Sequence, residues 1–240
     1  MGSSLQVLYR DEACVAVVKP PGLLVHPTPG FPARDTALRR LRGQMGRWVY
    51  PVHRLDRATS GVLVMALGPE AAQGLCRGFR EGEVDKLYHA VVRGFTEAGG
   101  RIDHPLRGAA GTADRAALTE YRRLATVELP IPVGPYDTAR YSLLEVRPRT
   151  GRTHQIRRHL KHIAHPIVGD TTHGDGRHNR MFRERLGVRR LLLHATEIRF
   201  RSPATGQEVR VRAPFDTGWL ALMERLGWGS VLEGGPEGSP

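Results

Sequence analysis

Residues 53–61 have the sequence His53-Arg54-Leu55-Asp56-Arg57-Ala58-Thr59-Ser60-Gly61, which places one carboxylate between two arginines and ahead of a Thr-Ser-Gly turn. The apolar run that follows, residues 62–67, predicts a buried strand. Opposite charges a few ångströms away lower the pKa of a carboxylate, so Asp56 is expected to stay ionised. An ionised carboxylate suits nucleophilic or covalent chemistry better than general-acid catalysis. Taken alone, however, an Arg–Asp pair is more often structural than catalytic.

The composition favours a polyanionic partner. The chain has 240 residues and a net charge of +12, from 36 basic and 24 acidic residues. The lysines are Lys19, Lys86 and Lys161, so arginine supplies the rest of the positive charge. Its planar fork of donors binds phosphate and stacks on bases, although an arginine-rich proteome would give a similar composition without any nucleic acid.

The cysteines and the hydropathy pattern predict a cytoplasmic protein. Cys14 and Cys76 lie far apart and form no CxxC motif, which is typical of reduced thiols in a protein core. No apolar run is long enough to span a bilayer, and the N-terminus lacks a signal-peptide pattern. We expect no membrane partner and no obligatory protein partner.

Strands and helices are mixed along the chain without βαβ regularity. This pattern predicts one α+β domain, with a mixed, largely antiparallel central sheet flanked by helices and loops. Residues 94–115 are predicted to be a connecting arm, and residues 229–240, rich in Gly, Pro and Glu, a disordered tail. The predicted strands are 6–9, 14–18, 86–92, 118–129, 141–146, 194–200 and 208–211, and the predicted helices are 35–42, 71–80, 153–163 and 216–226.

Two predicted helices carry specific expectations. Asp35 is predicted to cap the helix at 35–42. In the helix at 153–163, Ile156, Leu160 and Ile163 form one apolar stripe, and Arg157 falls at its edge. A helix buried by that stripe would aim Arg157 along the margin of the core.

Five segments, in order, resemble the motifs of the pseudouridine synthases of the RluA family, which modify uridines in ribosomal and transfer RNA. The resemblance covers residues 5–215 and implies the pseudouridine synthase fold over a catalytic domain at 1–228, without the N-terminal S4-like RNA-binding module of many relatives. The segments are Lys19-Pro20-Pro21-Gly22-Leu23-Leu24-Val25-His26, residues 53–61, Lys86-Leu87-Tyr88 with residues 90–94, Thr150-Gly151-Arg152-Thr153-His154-Gln155-Ile156-Arg157 with residues 165–170, and Leu192-Leu193-His194-Ala195.

The resemblance implies a reaction and assigns roles to four residues. Pseudouridine forms when the N1–C1′ bond of uridine breaks, the uracil turns, and C5 joins C1′, with no water or redox cofactor consumed. Asp56 would be the catalyst, by attack on C1′, attack on the base or abstraction of a sugar proton. Tyr88 would pack against the uracil and act in proton transfer, and Arg157 would pair with Asp56 and orient it. Arg54 would help to fill the gap left by the flipped base.

Without the resemblance, these residues have plainer interpretations. Tyr88 would be a strand residue that fills the core. Arg157 would be a phosphate clamp or a solvated charge on a helix, and Arg54 would belong to a structural ion pair.

Basic residues are densest between residues 171 and 190, where a spacing of three to four would put several arginines on one helix face. Such a face could bind the phosphates of a folded RNA, and a solvated helix is the alternative interpretation. The candidate RNA-binding residues are Arg57, Arg152, Arg177, Arg180 and Arg183.

The histidines do not indicate a metal site. His159, His162 and His165 are spaced three apart and fan around a helix, whereas catalytic zinc motifs place two histidines four apart with a carboxylate nearby. We expect neither a metal nor a cofactor. His53 and His154 are expected to hold their loops through hydrogen bonds.

Finer sequence cues resemble the corresponding segments of the family members that modify U65 in the T-stem of tRNA. The expected partner is therefore tRNA. One alternative is a sister enzyme acting on 23S ribosomal RNA or another tRNA position. Another is a non-catalytic RNA-binding or chaperone protein, although the intact Asp56, Tyr88 and Arg157 argue against it. A glycosidase would need a second carboxylate, which the motifs lack. The cues lie at 124–128, 134–136, 140–141, 169–170, 173–175 and 177–180.

Overall fold

The computed structural model describes residues 3–27, 35–108 and 113–233. Its strands are β1 (Val7–Arg10), β2 (Cys14–Lys19), β3 (Tyr50–Pro51), β4 (Ser60–Ala66), β5 (Asp85–Arg93), β6 (Gly99–Asp103), β7 (Leu118–Leu129), β8 (Ala139–Pro148), β9 (Leu193–Arg201) and β10 (Glu208–Arg212). Its helices are α1 (Ala37–Met45), α2 (Pro69–Glu81), α3 (Gln155–His162), α4 (Gly176–Arg185), α5 (Thr217–Arg225) and α6 (Gly229–Glu233).

The chain divides into two compact units. The first comprises Met1–Tyr88 and His194–Pro214, and the second comprises His89–Leu193 and Phe215–Pro240. The extent of a single catalytic domain over residues 1–228 therefore stays a prediction.

The first unit is built around a fully buried strand, β4. Its strand order is β1-β2-β4-β9, with β10 beside β9 and β3 beside β4. β2 runs antiparallel to β4, with Cys14 opposite Ala66 and Lys19 opposite Gly61, whereas β9 runs parallel to β4. The buried strand expected after the Asp56 stretch is confirmed.

The second unit has the strand order β5-β8-β7-β6, and β7 pairs antiparallel with both β8 and β6. Sequence analysis missed β6, which lies inside the predicted connecting arm at 94–115. Ile102 is the buried residue of this strand, and two of its five residues are glycines. The sequence of β6 therefore carries little of the apolar alternation that indicates a strand.

Each unit has its own apolar core. In the first, the buried side chains of β2 and β4 pack with Leu38, Leu41 and Phe200. In the second, Tyr141, Phe182 and Trp219 lie at the centre, each less than 2% exposed. Helices cover mixed and largely antiparallel strands, so the predicted α+β class is confirmed.

The start of α1 differs from the prediction. Thr36, and not Asp35, is the N-cap residue, since its side chain accepts a hydrogen bond from the backbone N–H of Arg39. Asp35 lies one residue too early and instead forms an ion pair with Arg40, with Nε 2.7 Å from Oδ1. The helix continues to Met45, where Gly46 adopts a left-handed conformation with φ 62° and ends it.

The α3 helix is shorter than the predicted 153–163. His154 has φ 53°, in the left-handed region, so the helix begins only at Gln155. Ile156 and Leu160 are buried as the stripe predicts, but Arg157 is also buried, at 6% exposed. It does not lie at an exposed margin.

The C-terminal segment contains structure where a disordered tail was predicted. Residues 229–233 form α6, and Val231 packs against the core of the second unit. Residues 234–240 lie outside the described residues. Among the helices of the described ranges, none is long and apolar enough to cross a membrane.

Candidate active site

The Asp56 segment forms a tight turn at the start of β4. The backbone N–H of Thr59 donates to the carbonyl oxygen of Asp56 at 3.1 Å. Leu55 and Thr59 are buried and anchor the turn, while Asp56 is partly exposed between the exposed Arg54 and Arg57. The turn therefore presents a carboxylate between two cations at a surface that a substrate can reach.

Lys19 fastens this turn to the N-terminal motif. Its side chain is fully buried, and its Nζ donates to the carbonyl oxygens of Pro20 at 2.8 Å, Leu23 at 2.9 Å and Arg57 at 3.2 Å. A buried ammonium is tolerated only when its donors are paired. The sequence showed Lys19 as part of a motif but gave no sign of this positioning role.

Gly22 adds a second link between the same two loops. Its backbone N–H donates to the carbonyl oxygen of Arg57 at 2.8 Å, and Arg57 Nε donates to the carbonyl oxygen of Gly22 at 2.9 Å. Arg57, a candidate RNA-binding residue, therefore already holds the backbone beside Asp56 in place.

Gly61 permits the close approach of β4 and β9. It pairs with Ala195 and has φ 115°, and a Cβ atom at this position would lie 2.1 Å from the carbonyl oxygen of Ala195. One residue earlier, Ser60 Oγ lies 2.8 Å from Nδ1 of His194, and both side chains are buried. The strand that follows the Asp56 turn is thus tied to β9 by backbone and side chains.

His53 stabilises the start of the turn, as expected from the sequence. Its Nε2 accepts a hydrogen bond from the backbone N–H of Val64 at 2.9 Å, and its ring stacks on Phe79 with 4.5 Å between the ring centroids. Removal from water and, secondarily, the positive charge of Lys86 lower the pKa of His53 to about 3. The imidazole is therefore neutral at physiological pH, which leaves Nε2 free to accept.

Tyr88 shares the electrostatic environment of Asp56. Burial raises the pKa of the Tyr88 phenol well above its usual range, and the negative charge of Asp56 raises it further. The phenol is therefore protonated at neutral pH. In that state Tyr88 can donate a hydrogen bond or a proton but cannot act as a phenolate base.

In the second unit, Arg157 forms a buried pair with Asp170. Nε lies 2.7 Å from Oδ2 and Nη2 lies 2.8 Å from Oδ1, while the two residues are 6% and 2% exposed. Sequence analysis did not find this pair. The expected contact of Arg157 with Asp56 stays a prediction.

The carboxylate of Asp170 is also held by the backbone. Its Oδ1 accepts hydrogen bonds from the N–H groups of Thr172 and His173, both at 2.9 Å. Burial acts to raise the pKa of Asp170, but the bonds from Arg157 and from these backbone groups outweigh burial and lower it. Asp170 is therefore ionised and fixes the guanidinium plane of Arg157.

Gln155 and His154 anchor the start of α3. Gln155 is buried; its Nε2 donates to the carbonyl oxygen of Leu118 at 2.9 Å, and its Oε1 accepts from Thr150 Oγ1 at 2.7 Å. His154 Nδ1 lies 3.0 Å from His173 Nε2, which agrees with the expected loop-holding role of His154. The segment around Arg157 is therefore rigidly placed.

Four of the candidate RNA-binding arginines lie in the second unit. Arg152 is exposed, and its Nε donates to the carbonyl oxygen of Ala116 at 3.1 Å. Arg177, Arg180 and Arg183 are exposed along α4, whose buried residues are Met181 and Phe182. The helix expected from the spacing of these arginines is confirmed, whereas their contact with RNA stays a prediction.

The histidines considered as metal ligands have other partners. His159 Nδ1 lies 2.9 Å from Thr119 Oγ1 and its Nε2 lies 3.0 Å from the carbonyl oxygen of His104. His162 stacks on His104 with 3.8 Å between the ring centroids, and His165 Nδ1 bonds the carbonyl oxygen of Arg93. In the part of the chain that the structure describes, no three His, Cys, Asp or Glu side chains group as metal ligands would.

Comparison with known proteins identifies the family. The family model for RNA pseudouridylate synthase matches residues 13–162, which include the Asp56 turn, Tyr88 and Arg157. The chain therefore belongs to the RNA pseudouridylate synthases, enzymes that isomerise uridine in RNA to pseudouridine.

Curated relatives are similar in sequence to almost the whole chain. A tRNA pseudouridine synthase C from Vibrio cholerae is 48% identical over 240 residues, covering 95% of this chain and 98% of the relative. A protein of the same name from Yersinia pestis is 42% identical and covers 95% of this chain and 93% of its own length.

Solved structures agree with this result. Human RNA pseudouridylate synthase domain containing 1 superposes with a TM-score of 0.69 at 28% identity, covering 90% of this chain and 86% of that one. Human RNA pseudouridylate synthase domain containing 4 has a TM-score of 0.71 at 23% identity, covering 92% and 93%. The expected pseudouridine synthase fold is confirmed.

Proposed function

We propose that this enzyme acts on tRNA and converts U65 in the T-stem to pseudouridine. The observation that carries the choice of substrate is the similarity, over nearly the full length of both chains, to relatives named tRNA pseudouridine synthase C. The net charge of +12 supports a polyanionic substrate. The free thiols of Cys14 and Cys76 support a cytoplasmic location.

Asp56 is the proposed catalytic carboxylate. It lies on a turn that Lys19 and Gly22 hold through backbone hydrogen bonds, so its position is fixed before the substrate binds. Preorganisation of this kind lets the carboxyl group act on the nucleotide without a further loss of conformational freedom. Because the rearrangement is internal to the nucleotide, one carboxylate is sufficient and no activated water is needed.

The other proposed catalytic residues assist Asp56. Tyr88 packs against the uracil and, being protonated, donates to the base rather than accepting from it. Arg54, which is exposed next to Asp56, offsets part of the few kcal/mol needed to take the base out of its stack. Arg157 orients Asp56, and its own guanidinium plane is held by Asp170.

Phosphate contacts are proposed for the exposed arginines. In a basic protein such contacts supply most of the affinity for RNA, and they depend strongly on salt concentration. The residues are Arg57, Arg152, Arg177, Arg180 and Arg183.

Mapping of pseudouridine at single-nucleotide resolution tests the proposal. The purified protein is incubated with an unmodified tRNA transcript that carries uridine at position 65, with the same transcript carrying cytidine there, and with 23S ribosomal RNA. Pseudouridine at position 65 of the first transcript alone is the expected result. A signal at another tRNA position or in ribosomal RNA would indicate the sister enzyme, and no signal in any RNA would favour a non-catalytic RNA-binding protein.

A further inference from the structure

The residues that line a pocket of about 760 Å³ in the second unit include Arg93, Lys161, Arg177 and Arg180. We propose that this pocket binds a phosphodiester group of the RNA substrate. The inference rests on the proposed function, because that function makes RNA the ligand. It adds Arg93 and Lys161, which are not among the candidate RNA-binding residues named from the sequence, to the residues that hold the RNA.

The four cations come from three separate elements of the second unit. Arg93 ends β5, Lys161 lies in the last turn of α3, and Arg177 and Arg180 lie one turn apart on α4. Residues three apart on a helix share a face, which brings the two α4 arginines to the same pocket. The fold therefore adds Arg93 and Lys161 to two arginines of the basic segment at 171–190.

Arg93 is fixed at both its backbone and its side chain. Its N–H donates to the carbonyl oxygen of Pro166 at 3.0 Å, and its carbonyl oxygen accepts from His165 Nδ1 at 2.8 Å. Its Nη1 lies 2.7 Å from Oδ2 of Asp175. A cation placed in advance binds an anion with less loss of side-chain entropy than a mobile one.

Asp175 is the acidic residue of the lining, and both of its carboxylate oxygens already accept hydrogen bonds. Its Oδ1 caps α4 by accepting from the backbone N–H of Arg177 at 2.9 Å, while its Oδ2 holds Arg93. Four cations and one carboxylate leave the pocket strongly positive. A metal ion would be repelled there, whereas an anion would be attracted.

The chemistry of the lining suits a phosphodiester. Each phosphodiester carries one negative charge on two exposed oxygens, which match the parallel N–H donors of a guanidinium. Lys161 adds a flexible point charge to the lining. Such a contact fixes the register of the RNA and does not distinguish one base from another.

Binding of an unmodified tRNA transcript at several salt concentrations tests the pocket. Lys161→Ala, Arg93→Gln and Arg180→Ala are each expected to lower the affinity several-fold. Each should also reduce the slope of log K against log salt by about 0.7 to 1, the value for one lost phosphate contact. Circular dichroism and thermal unfolding of every variant establish that the chain is folded.

Arg80→Ala is the matched control. Arg80 is exposed in α2, outside the pocket, and its replacement removes the same formal charge. Its salt slope should equal that of the wild type. Wild-type slopes in the pocket variants, or an equal change in Arg80→Ala, would overturn the inference, since the second result would reflect net charge alone.

Pseudouridine mapping on the same transcript separates the two proposals. If the wild-type enzyme modifies tRNA but the pocket variants keep the wild-type slope, the pocket inference alone fails. If the wild-type enzyme leaves tRNA unmodified, the proposed substrate fails whatever the slopes are.

Discussion

The guanidinium of Arg157 and the carboxylate of Asp170 form a buried, two-point ion pair, with N–O distances of 2.7 and 2.8 Å. Two parallel hydrogen bonds fix the plane of the guanidinium as well as its position. Arg157 was expected to orient Asp56, yet the residue that orients Arg157 itself is Asp170. The pair thus links a proposed catalytic residue to the loop at 170–173.

Asp170→Asn is expected to destabilise the protein and to slow catalysis. Removal of one partner from a buried ion pair leaves an uncompensated charge, at a cost of about 3 to 5 kcal/mol in the free energy of unfolding. Urea unfolding measures this change. The control is Asp103→Asn, which breaks an exposed pair with Arg101 and should cost no more than about 1 kcal/mol. Equal losses in both variants would contradict the structural role of Asp170.

Asp56→Asn is expected to abolish pseudouridine formation and to leave tRNA affinity within a few-fold of the wild type. The amide keeps the shape of the side chain but loses the charge that the proposed chemistry requires, whereas the arginines proposed to supply affinity remain. Single-turnover assays and equilibrium binding measure the two effects. Residual turnover near the wild-type rate would refute the catalytic assignment.

Arg157→Lys is expected to lower the catalytic rate far more than tRNA affinity. Lysine keeps the positive charge but loses the planar fork that two-point pairing requires. Single-turnover rates at saturating tRNA, compared with dissociation constants, separate the effects. A variant that loses affinity alone would show that Arg157 is a binding residue.

Lys19→Met is expected to loosen the Asp56 turn. The thioether has a similar length but cannot donate a hydrogen bond. The carbonyl oxygen of Arg57 keeps the N–H of Gly22, whereas the buried bond to the carbonyl oxygen of Leu23 is lost. Each unsatisfied buried group costs about 1 to 3 kcal/mol. Both the free energy of unfolding and the rate at saturating tRNA should fall.

Arg77→Met is the control for Lys19→Met, because Arg77 is exposed on α2 and its replacement removes the same formal charge. It should change the free energy of unfolding by no more than about 0.5 kcal/mol. If Lys19→Met unfolds at the same urea concentration as this control, the positioning role of Lys19 is wrong.

The folded protein is expected to lose stability in acid because Glu197 becomes protonated. Burial acts to raise its pKa, but hydrogen bonds from Arg210, Arg212 and Arg199 outweigh burial and lower it to about 2. Because the pKa is lower in the folded than in the unfolded chain, the ion cluster stabilises the protein fully above about pH 4.5. That contribution disappears as the pH falls towards 2.

Glu197→Gln should therefore be less stable than the wild type at neutral pH, and the difference should shrink in acid. Urea unfolding at pH 7, 4 and 3 measures it. A difference that stays constant or grows as the pH falls would contradict the pKa assigned to Glu197.

The sequence predicted the structure best where short local patterns determine it. The motif residues and the apolar run at 62–67 predicted the position of the Asp56 turn and the buried strand β4 after it. The helix predicted to begin at Asp216 is α5, and the side chain of Asp216 caps it by accepting from the N–H of Trp219. Local patterns of this kind follow from the adjacent chain alone.

Interactions over long sequence distances were not predictable. The Arg157–Asp170 pair depends on how the loop at 170–173 folds back. One of the three hydrogen bonds of Lys19 reaches Arg57, which is 38 residues away. The cap of α1 is Thr36 and not the predicted Asp35, because the helix begins at Ala37 and the side chain of Thr36 accepts from the N–H of Arg39. Strand β6 owes its conformation to pairing with β7 rather than to its own composition.

The hydrogen bond between Ser60 and His194 has a consequence for synthesis, because it joins positions 134 residues apart. A ribosome adds about 5 to 20 residues per second, so on the order of ten seconds separate the two residues. During that interval the growing chain already carries Asp56, but the edge of β4 that receives β9 has no partner. Unpaired strand edges are where chains associate wrongly. A ribosome that stalls between these positions would therefore leave a nascent chain prone to aggregation.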